Sequence, residues 1–371
     1  MKVLSLFSGL GAFERALETL KIEYELIAYS EIDKYASKAY SLIHGVSENL
    51  NLGDVTKIDE TKLPKDVDLI TYGFPCQDIS VAGKQKGFES AGVKTRSGLF
   101  FDALRIIKAT RPRIAIAENV KNLTGKRFKN EFDLVLKSLE DVGYNNYWQV
   151  LNAKDFGIPQ NRERVFIVSI RKDIDKNAFK FPEKIPLELK LKDLLENDVD
   201  EKYFFAEEKT KKIQSQLKNK ATVLIDLCQA RREKKVREYT SVAPTICGRD
   251  YKEPRCVQVG TLDIQGHDSI KRVYSSAGLC PTLTSMQGGN RQPKIVANGE
   301  LCKTESGKRD ALRIRKLTPT ECFRLMGFSD KDVQILIENK ISNSQLYKMA
   351  GNSIVVNVLV AIFKELRKDV I

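Results

Sequence analysis

Apolar and polar positions follow two different rhythms over the first 170 residues of this 371-residue chain. Val3–Phe7, Leu26–Tyr29, Val67–Tyr72, Ile114–Ala117 and Val165–Ile170 are short, apolar, β-branched runs that read as buried strands. Between them, Phe13–Leu20, Lys34–His44, Leu99–Thr110 and Asn130–Val142 carry helical spacing. The alternation predicts an α/β domain with a parallel sheet and crossover helices. It breaks near Arg171, where Pro182, Pro186 and mixed charge intervene. Residues 171–312 offer short, Gly- and Pro-bounded strand-like pieces and predict a second, smaller and mostly β domain. Ala243-Pro244-Thr245-Ile246 and Cys280-Pro281-Thr282-Leu283 echo each other there, as two similar hairpins would. Helical spacing returns at Thr318–Met326 and from Ser353 to Leu366, so residues 313–371 are expected to rejoin the domain begun by residues 1–170.

Composition narrows the class. The chain is 42% hydrophobic, enough for a sizeable core in two unequal lobes. No wholly apolar run approaches the ~20 residues that cross a bilayer, and Met1–Phe7 opens as a strand rather than a signal peptide. Seven cysteines without CxxC pairing and only two histidines argue against a disulfide framework and a zinc site, and point to a reduced, cytoplasmic setting. The net charge of +13 is concentrated: residues 209–256 hold 13 Lys/Arg against 5 Asp/Glu, with Lys209–Lys212 and Arg231–Lys235 densest. Such a patch suits a phosphate backbone, although from charge alone a solvated lysine-rich face fits as well.

Chemistry concentrates where the predicted strands end. Gly73 and Pro75 break the strand Val67–Tyr72 and put Cys76 on a loop at its C-terminal end, the edge where open α/β sheets bind ligands. A lone cysteine is ordinarily a small buried hydrophobe, and only its context suggests a nucleophile. Phe7-Ser8-Gly9-Leu10-Gly11-Ala12-Phe13 is a glycine turn between strand and helix, able to admit a ligand to free N–H groups or to serve as a plain turn. Glu31 and Asp54 end or follow the next strands, placed for a ribose and an adenine amino group, so the three together describe a nucleoside pocket. The full GxGxxG is absent, which weighs against NAD. Glu118 ends another apolar strand on the same edge, and Arg162 and Arg164 alternate toward one side of a strand.

Taken in order, these segments resemble the C5-cytosine DNA methyltransferases. The glycine turn, Glu31, Asp54, Pro75-Cys76-Gln77, Glu118-Asn119-Val120 and Gln160-x-Arg162-x-Arg164 match successive motifs of that family. So do Arg315–Cys322 with Arg324–Phe328, and Gln345-x-Tyr347-Lys348-x-Ala350-Gly351-Asn352-Ser353. Ala12 in place of a further glycine, and Asp78 after Gln77, are small departures that touch no catalytic position.

The resemblance implies a Rossmann-like S-adenosylmethionine-dependent methyltransferase domain with a smaller, mostly β target-recognition domain. It implies catalytic roles for Cys76 as the nucleophile toward cytosine C6, Glu118 as the acid at N3, and Arg162 and Arg164 on the O2 side. It implies a cofactor pocket from Phe7, Ser8, Gly9, Gly11, Phe13, Glu31, Ile32, Asp54, Val55, Pro75, Asn352 and Val355. Double-stranded DNA is the implied partner. Ile79–Ser97 reads as a lid over the flipped base, with Gln77, Ser80, Lys84 and Arg96 toward the DNA. Arg231 and Arg232 are expected on phosphates, and Arg249, Gln287 and Arg291 on bases. A monomer without a membrane is expected, and the sequence leaves open whether a cognate restriction endonuclease is its functional partner. The RNA-methylating branch of the family usually lacks a large variable region, so the 140 or so residues between Arg171 and Arg313 favour DNA. A regulator that has lost catalysis would not be expected to keep Cys76, Glu118 and Arg162.

Overall fold

The computed structural model describes residues 1–75, 88–90, 93–94, 96–206, 224–225, 238–239, 258–262, 264, 268–276, 278–286, 291–296 and 313–369. In chain order the first strands are β1 (Lys2–Leu6), β2 (Glu25–Ser30), β3 (Leu69–Tyr72), the small hairpin β4 (Glu89–Ser90) and β5 (Val93–Lys94), β6 (Ile114–Val120), β7 (Tyr144–Asn152), β8 (Gln160–Asn161) and β9 (Glu163–Arg171). Helices α1 (Ala12–Thr19), α2 (Lys34–His44), α3 (Phe100–Thr110) and α4 (Lys129–Asp141) lie between them. The central sheet runs β2-β1-β3-β6-β9-β7.

Strands β2, β1, β3 and β6 are mutually parallel, but β9 is antiparallel to both β6 and β7. The expectation of an all-parallel sheet is therefore corrected at its far edge. The cause is β7, which the apolar pattern missed: Asn145, Asn146 and Gln149 give it no alternation, because it is the edge strand and Trp148 and Gln149 are exposed. With β7 in place, β8 and β9 return as the second arm of a hairpin. The reversal brings the start of β9 to the same edge as the ends of β1, β2, β3 and β6.

The two-residue pleat sorts neighbouring side chains into two cores. Leu4, Leu6, Ile70, Tyr72, Ala115, Ala117, Val165 and Ile167 pack with α3 and α4 on one face. Val3, Leu69, Ile114, Ile116, Phe166 and Val168 pack on the other, with α1, α2 and residues 317–366. Phe13 meets Phe363 edge-on at 6.5 Å, and Arg15 pairs with Asp332 at 2.6 Å. The C-terminal segment thus completes the face begun by the N-terminal one.

Helices Pro319–Arg324 and Val356–Asp369 correspond to the two expected stretches, with shifted ends, and two further helices, Asp330–Glu338 and Asn343–Asn352, lie between. The stretch Asn343–Lys368 is long and apolar enough to cross a membrane. It is broken at Ser353–Val355, and its apolar face, with Leu359, Ile362, Phe363 and Leu366 fully buried, belongs to the core. The motif Arg315–Cys322 is architectural. Thr318 caps Pro319–Arg324 in a capping box with Glu321, whose carboxylate takes a two-pronged bond from Arg315 at 2.7 and 2.6 Å.

Strands Gln258–Thr261, Arg272–Tyr274, Lys294–Val296 and Ile314–Lys316 form a second, four-stranded sheet with its own small apolar cluster of Leu262, Val273, Val296 and Ile314. Cys280–Pro281, expected to open a hairpin of the echo, instead pairs in parallel with β8. The other half of the echo lies outside the described residues.

One buried charge stands apart. Glu14 on α1 is fully buried, and burial raises its carboxyl above the ordinary value, only partly offset by His44, Ser5 and Tyr40. With a folded-state pKa above the unfolded one, its contribution to stability is fully present below the unfolded value. It is lost as pH rises toward the folded one. Glu14→Gln is therefore expected to stabilise the fold relative to wild type, and more so at pH 8 than at pH 5, by about 1–3 kcal/mol. Thermal melts at the two pH values check this; a gain equal at both would show that ionisation of Glu14 is not what costs stability.

Candidate active site

The turn after β1 is built on backbone conformations that few side chains adopt. Phe7 has φ +53°, Gly9 +55° and Gly11 +72°. For a bulky residue such as Phe7 this is a strained state, held here by tight bonding. The Ser8 N–H donates to Ser30 O at 3.1 Å, the Ser8 hydroxyl to Ser5 O at 3.0 Å, and the Gly11 N–H to Ser8 O at 2.9 Å. Gly9 and Gly11 are glycines for different reasons. A Cβ on Gly9 would meet nothing within 4 Å, so its open side is available to a ligand. A Cβ on Gly11 would stand 2.2 Å from His44 Nε2. On its Cβ side Gly11 is closed by packing: the His44 ring bridges the Leu10 carbonyl at 3.0 Å and Glu18 at 2.8 Å behind the turn.

Glu31, at the end of β2, receives the Gly9 N–H at 2.9 Å and the Asp33 N–H at 2.8 Å. Burial raises its carboxyl, and these two backbone donors pull it back. Asp33 caps α2 and pairs with Lys348 from the C-terminal helices. Beside it Ile32 is 76% exposed, an apolar side chain presented to solvent at the rim of the turn. Asp54 is held below the ordinary carboxyl range by bonds from the Thr56 N–H and hydroxyl, at 3.0 and 2.8 Å. Val55 and Val355, expected at the cofactor, have their side chains in the core at 4% and 3% exposure.

A cavity of about 50 Å³ joins the turn to the chemistry. Of the expected residues, Phe7, Ser8, Gly9, Phe13, Glu118 and Asn352 line it, while Gly11, Glu31, Ile32, Asp54, Val55, Pro75 and Val355 do not. Sequence reasoning missed Gly73 and Ile354. A Cβ at Gly73 would be 3.7 Å from Glu118 Oε2 and 3.8 Å from Ile354 Cδ1, so this glycine borders the acid directly. Phe74, next along, is buried, and Asn119 donates to its carbonyl at 3.0 Å. The neighbour of Glu118 therefore anchors the loop that leads to position 76. The motif Glu118-Asn119 was visible in the sequence; its anchoring role was not.

Glu118 sits near the end of β6 with Oε1 3.0 Å from Arg164 Nε, the pair 12% and 18% exposed. Burial raises the Glu118 carboxyl, while Arg164 and then Arg162 oppose the rise. Arg162 and Arg164 do share one side, as their spacing implied, since both line a small apolar void with Leu151 and Phe166. Their roles diverge. Arg164 meets the acid, whereas Arg162 is 4% exposed and donates to the carbonyls of Leu283, Gly351 and Ser353 at 2.8, 3.1 and 2.7 Å.

Cys76, Gln77, Ser80, Lys84, Arg231, Arg232, Arg249 and Gln287 lie outside the described residues. Arg96 opens a short 3-10 turn, Arg96–Leu99, and Arg291 is exposed. Of the span expected to be a mobile lid, Ile79–Ser97, residues 88–90, 93–94 and 96–97 are among those described. Phe88 packs against Phe74 and Phe100 at ring distances of 6.2 and 6.1 Å, and Ser97 is fully buried.

Residues 1–368 match the family model of the C-5 cytosine-specific DNA methylases. The orphan methyltransferase M.SPBetaI of Bacillus phage SPbeta is 36% identical over 99% of this chain and 97% of its own length. The type II methyltransferase M.HhaI of Haemophilus parahaemolyticus is 32% identical over 97% of this chain and 92% of its own. The S. pombe Dnmt2 methyltransferase structure superposes with a TM-score of 0.63 at 21% identity, covering 99% of both chains, a likeness of fold.

Proposed function

Because the chain belongs to the C-5 cytosine-specific DNA methylase family and is thereby a DNA cytosine-5-methyltransferase, we propose that it moves a methyl group from S-adenosylmethionine to carbon 5 of a cytosine flipped out of a specific duplex site, through a covalent bond from Cys76 to ring carbon 6. The observation that carries this reading is the Glu118–Arg164 pair, whose carboxylate lines the same cavity as the glycine turn.

The residues present fit the cofactor. Gly9 leaves an open approach, the Glu31 carboxylate is oriented by two N–H donors, and Ile32 offers an exposed apolar face beside it. S-adenosylmethionine supplies an electrophilic methyl group. What remains is the work of the chain's own side chains on the base. Cytosine C5 is a weak nucleophile, and addition of the Cys76 thiolate to C6 pushes electron density toward C5 and N3. Glu118, its carboxyl raised by burial, holds a proton for N3 as charge builds there. Arg164, bound to the same carboxyl, faces the charge on the O2 side. Loss of the C5 proton with expulsion of the thiolate restores the aromatic ring. In a stacked duplex none of these groups reaches the base, which requires flipping.

We assign residues 1–170 and 313–371 to the catalytic domain and 171–312 to target recognition, and take the protein to act as a cytoplasmic monomer marking DNA in restriction–modification or phage protection. The test is transfer of tritiated methyl from S-adenosylmethionine to duplex DNA and to tRNA side by side. Label in the duplex alone is expected; label in tRNA alone would overturn the DNA reading. In the same preparation, Glu31→Ala and Asp54→Ala should each weaken cofactor binding by about 1–3 kcal/mol with duplex affinity little changed. Calorimetry showing wild-type cofactor affinity in both variants would remove the nucleoside pocket from this edge of the sheet.

A further inference from the structure

Arg162 stands where three separate stretches of chain meet. Its own backbone is fixed from β7: the Arg162 N–H donates to Asn152 Oδ1 at 3.0 Å, and its carbonyl accepts from the Ala153 N–H at 3.1 Å. Its guanidinium reaches two other places at once. Nη1 donates to Leu283 O, while Nη2 donates to Gly351 O and to Ser353 O. Ser353 lines the same cavity as Glu118. Leu283 leads directly into Thr284–Met286, and the exposed Arg291, where base readout is expected, follows five residues further along the sequence.

Independent contacts seat the Leu283 segment against the same floor. Cys280–Pro281 pairs with β8, the Thr282 hydroxyl donates to Asn161 O, and Gln160 Oε1 accepts the Leu283 N–H at 3.3 Å. Gly351 is pressed so closely against this segment that a Cβ there would lie 1.7 Å from Thr284 O and 2.9 Å from Ser285 Cα. The described stretch Cys280–Met286, which precedes the expected reading side chains in sequence, therefore lies in close backbone contact with Gly351 beside the cavity, and Arg162 closes the joint by bonding both sides. Only a planar fork of donors can hold carbonyls in such divergent positions; a lysine ammonium reaches them one or two at a time.

We propose that Arg162 is a positioning residue for sequence discrimination, tying the readout segment after Leu283 to the floor of the base pocket so that site recognition and methyl transfer share one geometry. This rests on the function proposed above. An arginine that merely stabilises the fold predicts equal losses on right and wrong sites, whereas a joint predicts that selectivity itself falls.

The experiment uses the full chain. Bisulfite sequencing of a plasmid from cells expressing the wild type identifies the methylated site. Tritiated methyl transfer then gives kcat/KM for a short duplex with that site and for duplexes with one flanking base pair changed. Arg162→Lys is expected to lower the ratio of the two kcat/KM values by about tenfold, within the range that single base-pair changes ordinarily command. Cofactor affinity is measured by calorimetry alongside, because Arg162 also bonds Gly351 O and Ser353 O beside the cavity; a change there acts on both duplexes alike and cancels in the ratio. Thr282→Val, which loosens the same segment without touching Arg162, should lower the ratio by about threefold, a single neutral hydrogen bond's worth. Folding of both variants is read from their thermal midpoints. Should Arg162→Lys fail to fold, Thr282→Val decides: an unchanged ratio in the folded variant overturns the joint. Equal losses on both duplexes in Arg162→Lys likewise leave Arg162 a structural residue. A wild type that methylates no duplex overturns the function itself, and the joint with it.

Discussion

Replacing Cys76 by serine abolishes methyl transfer to duplex DNA while cofactor binding stays close to wild type. A cysteine thiol has a pKa of about 8.5, and helix ends or nearby cations lower it further, so a useful fraction is thiolate at neutral pH. A serine hydroxyl without a dedicated base is not ionised there, and no side chain on the described sheet edge is placed as one. Glu118 is bound to Arg164, and its assigned task is to carry a proton rather than to remove one. Gly9 and Glu31, proposed to hold the cofactor, are on other strand ends and do not depend on the thiol. Fluorine at C5 of the target cytosine sharpens the test, because the fluorinated ring cannot lose a C5 proton and the thiol cannot leave. Mass spectrometry should find the DNA on the peptide carrying Cys76. An adduct on any other residue would remove it from the mechanism.

The second large effect is expected at Glu118. Glu118→Gln keeps the size of the side chain and an oxygen for Arg164 but cannot transfer a proton to N3, so kcat should fall by about 10²–10⁴, the usual worth of a general acid. The pH dependence follows from the direction of the shift. Burial raises the Glu118 carboxyl, so its protonated form persists to higher pH than for an ordinary glutamate. The wild-type rate should therefore show an alkaline limb, declining as pH rises through that pKa, distinct from the acid-side fall set by loss of the Cys76 thiolate. The variant should lack this decline. A wild-type limb that survives unchanged in Glu118→Gln would assign it to another group. A loss of binding rather than turnover would make Glu118 a wall of the cavity only.

Much of this arrangement was legible in the chain, for a physical reason. Strand ends in an open α/β sheet carry chemistry on short local motifs, and Phe7–Phe13, Glu31 and Glu118 lie within a few residues of strongly apolar runs that announce the strands. What escaped was whatever depends on partners distant in sequence or on an edge position. The polar β7 has no alternation because water bathes much of it, and with it went the reversal of β9. The partners of Arg162 come from Leu283, Gly351 and Ser353, so the QNRER spacing gave its side but not its task. Nothing local reveals that His44, more than thirty residues on, packs against Gly11 and excludes any side chain there. The helix Asp330–Glu338 had a readable start, since Ser329 and Asp332 form a capping box, but its apolar positions are too few to stand out.

The division of the sheet into two faces bears on how this protein is made. The α3–α4 face is built wholly from the first 171 residues and can close as soon as they emerge. The opposite face needs Leu317 through Leu366 to cover Val3, Leu69, Ile116 and Phe166. At a synthesis rate of about 5–20 residues per second, that apolar face, with α1 and α2 over part of it, waits roughly 10–40 s on the ribosome before its cover is complete. During that interval the nascent chain presents a sticky half-sheet, which makes it a natural client for chaperones, and translation that stalls within the intervening stretch should yield fragments that aggregate or are degraded rather than idle half-enzymes.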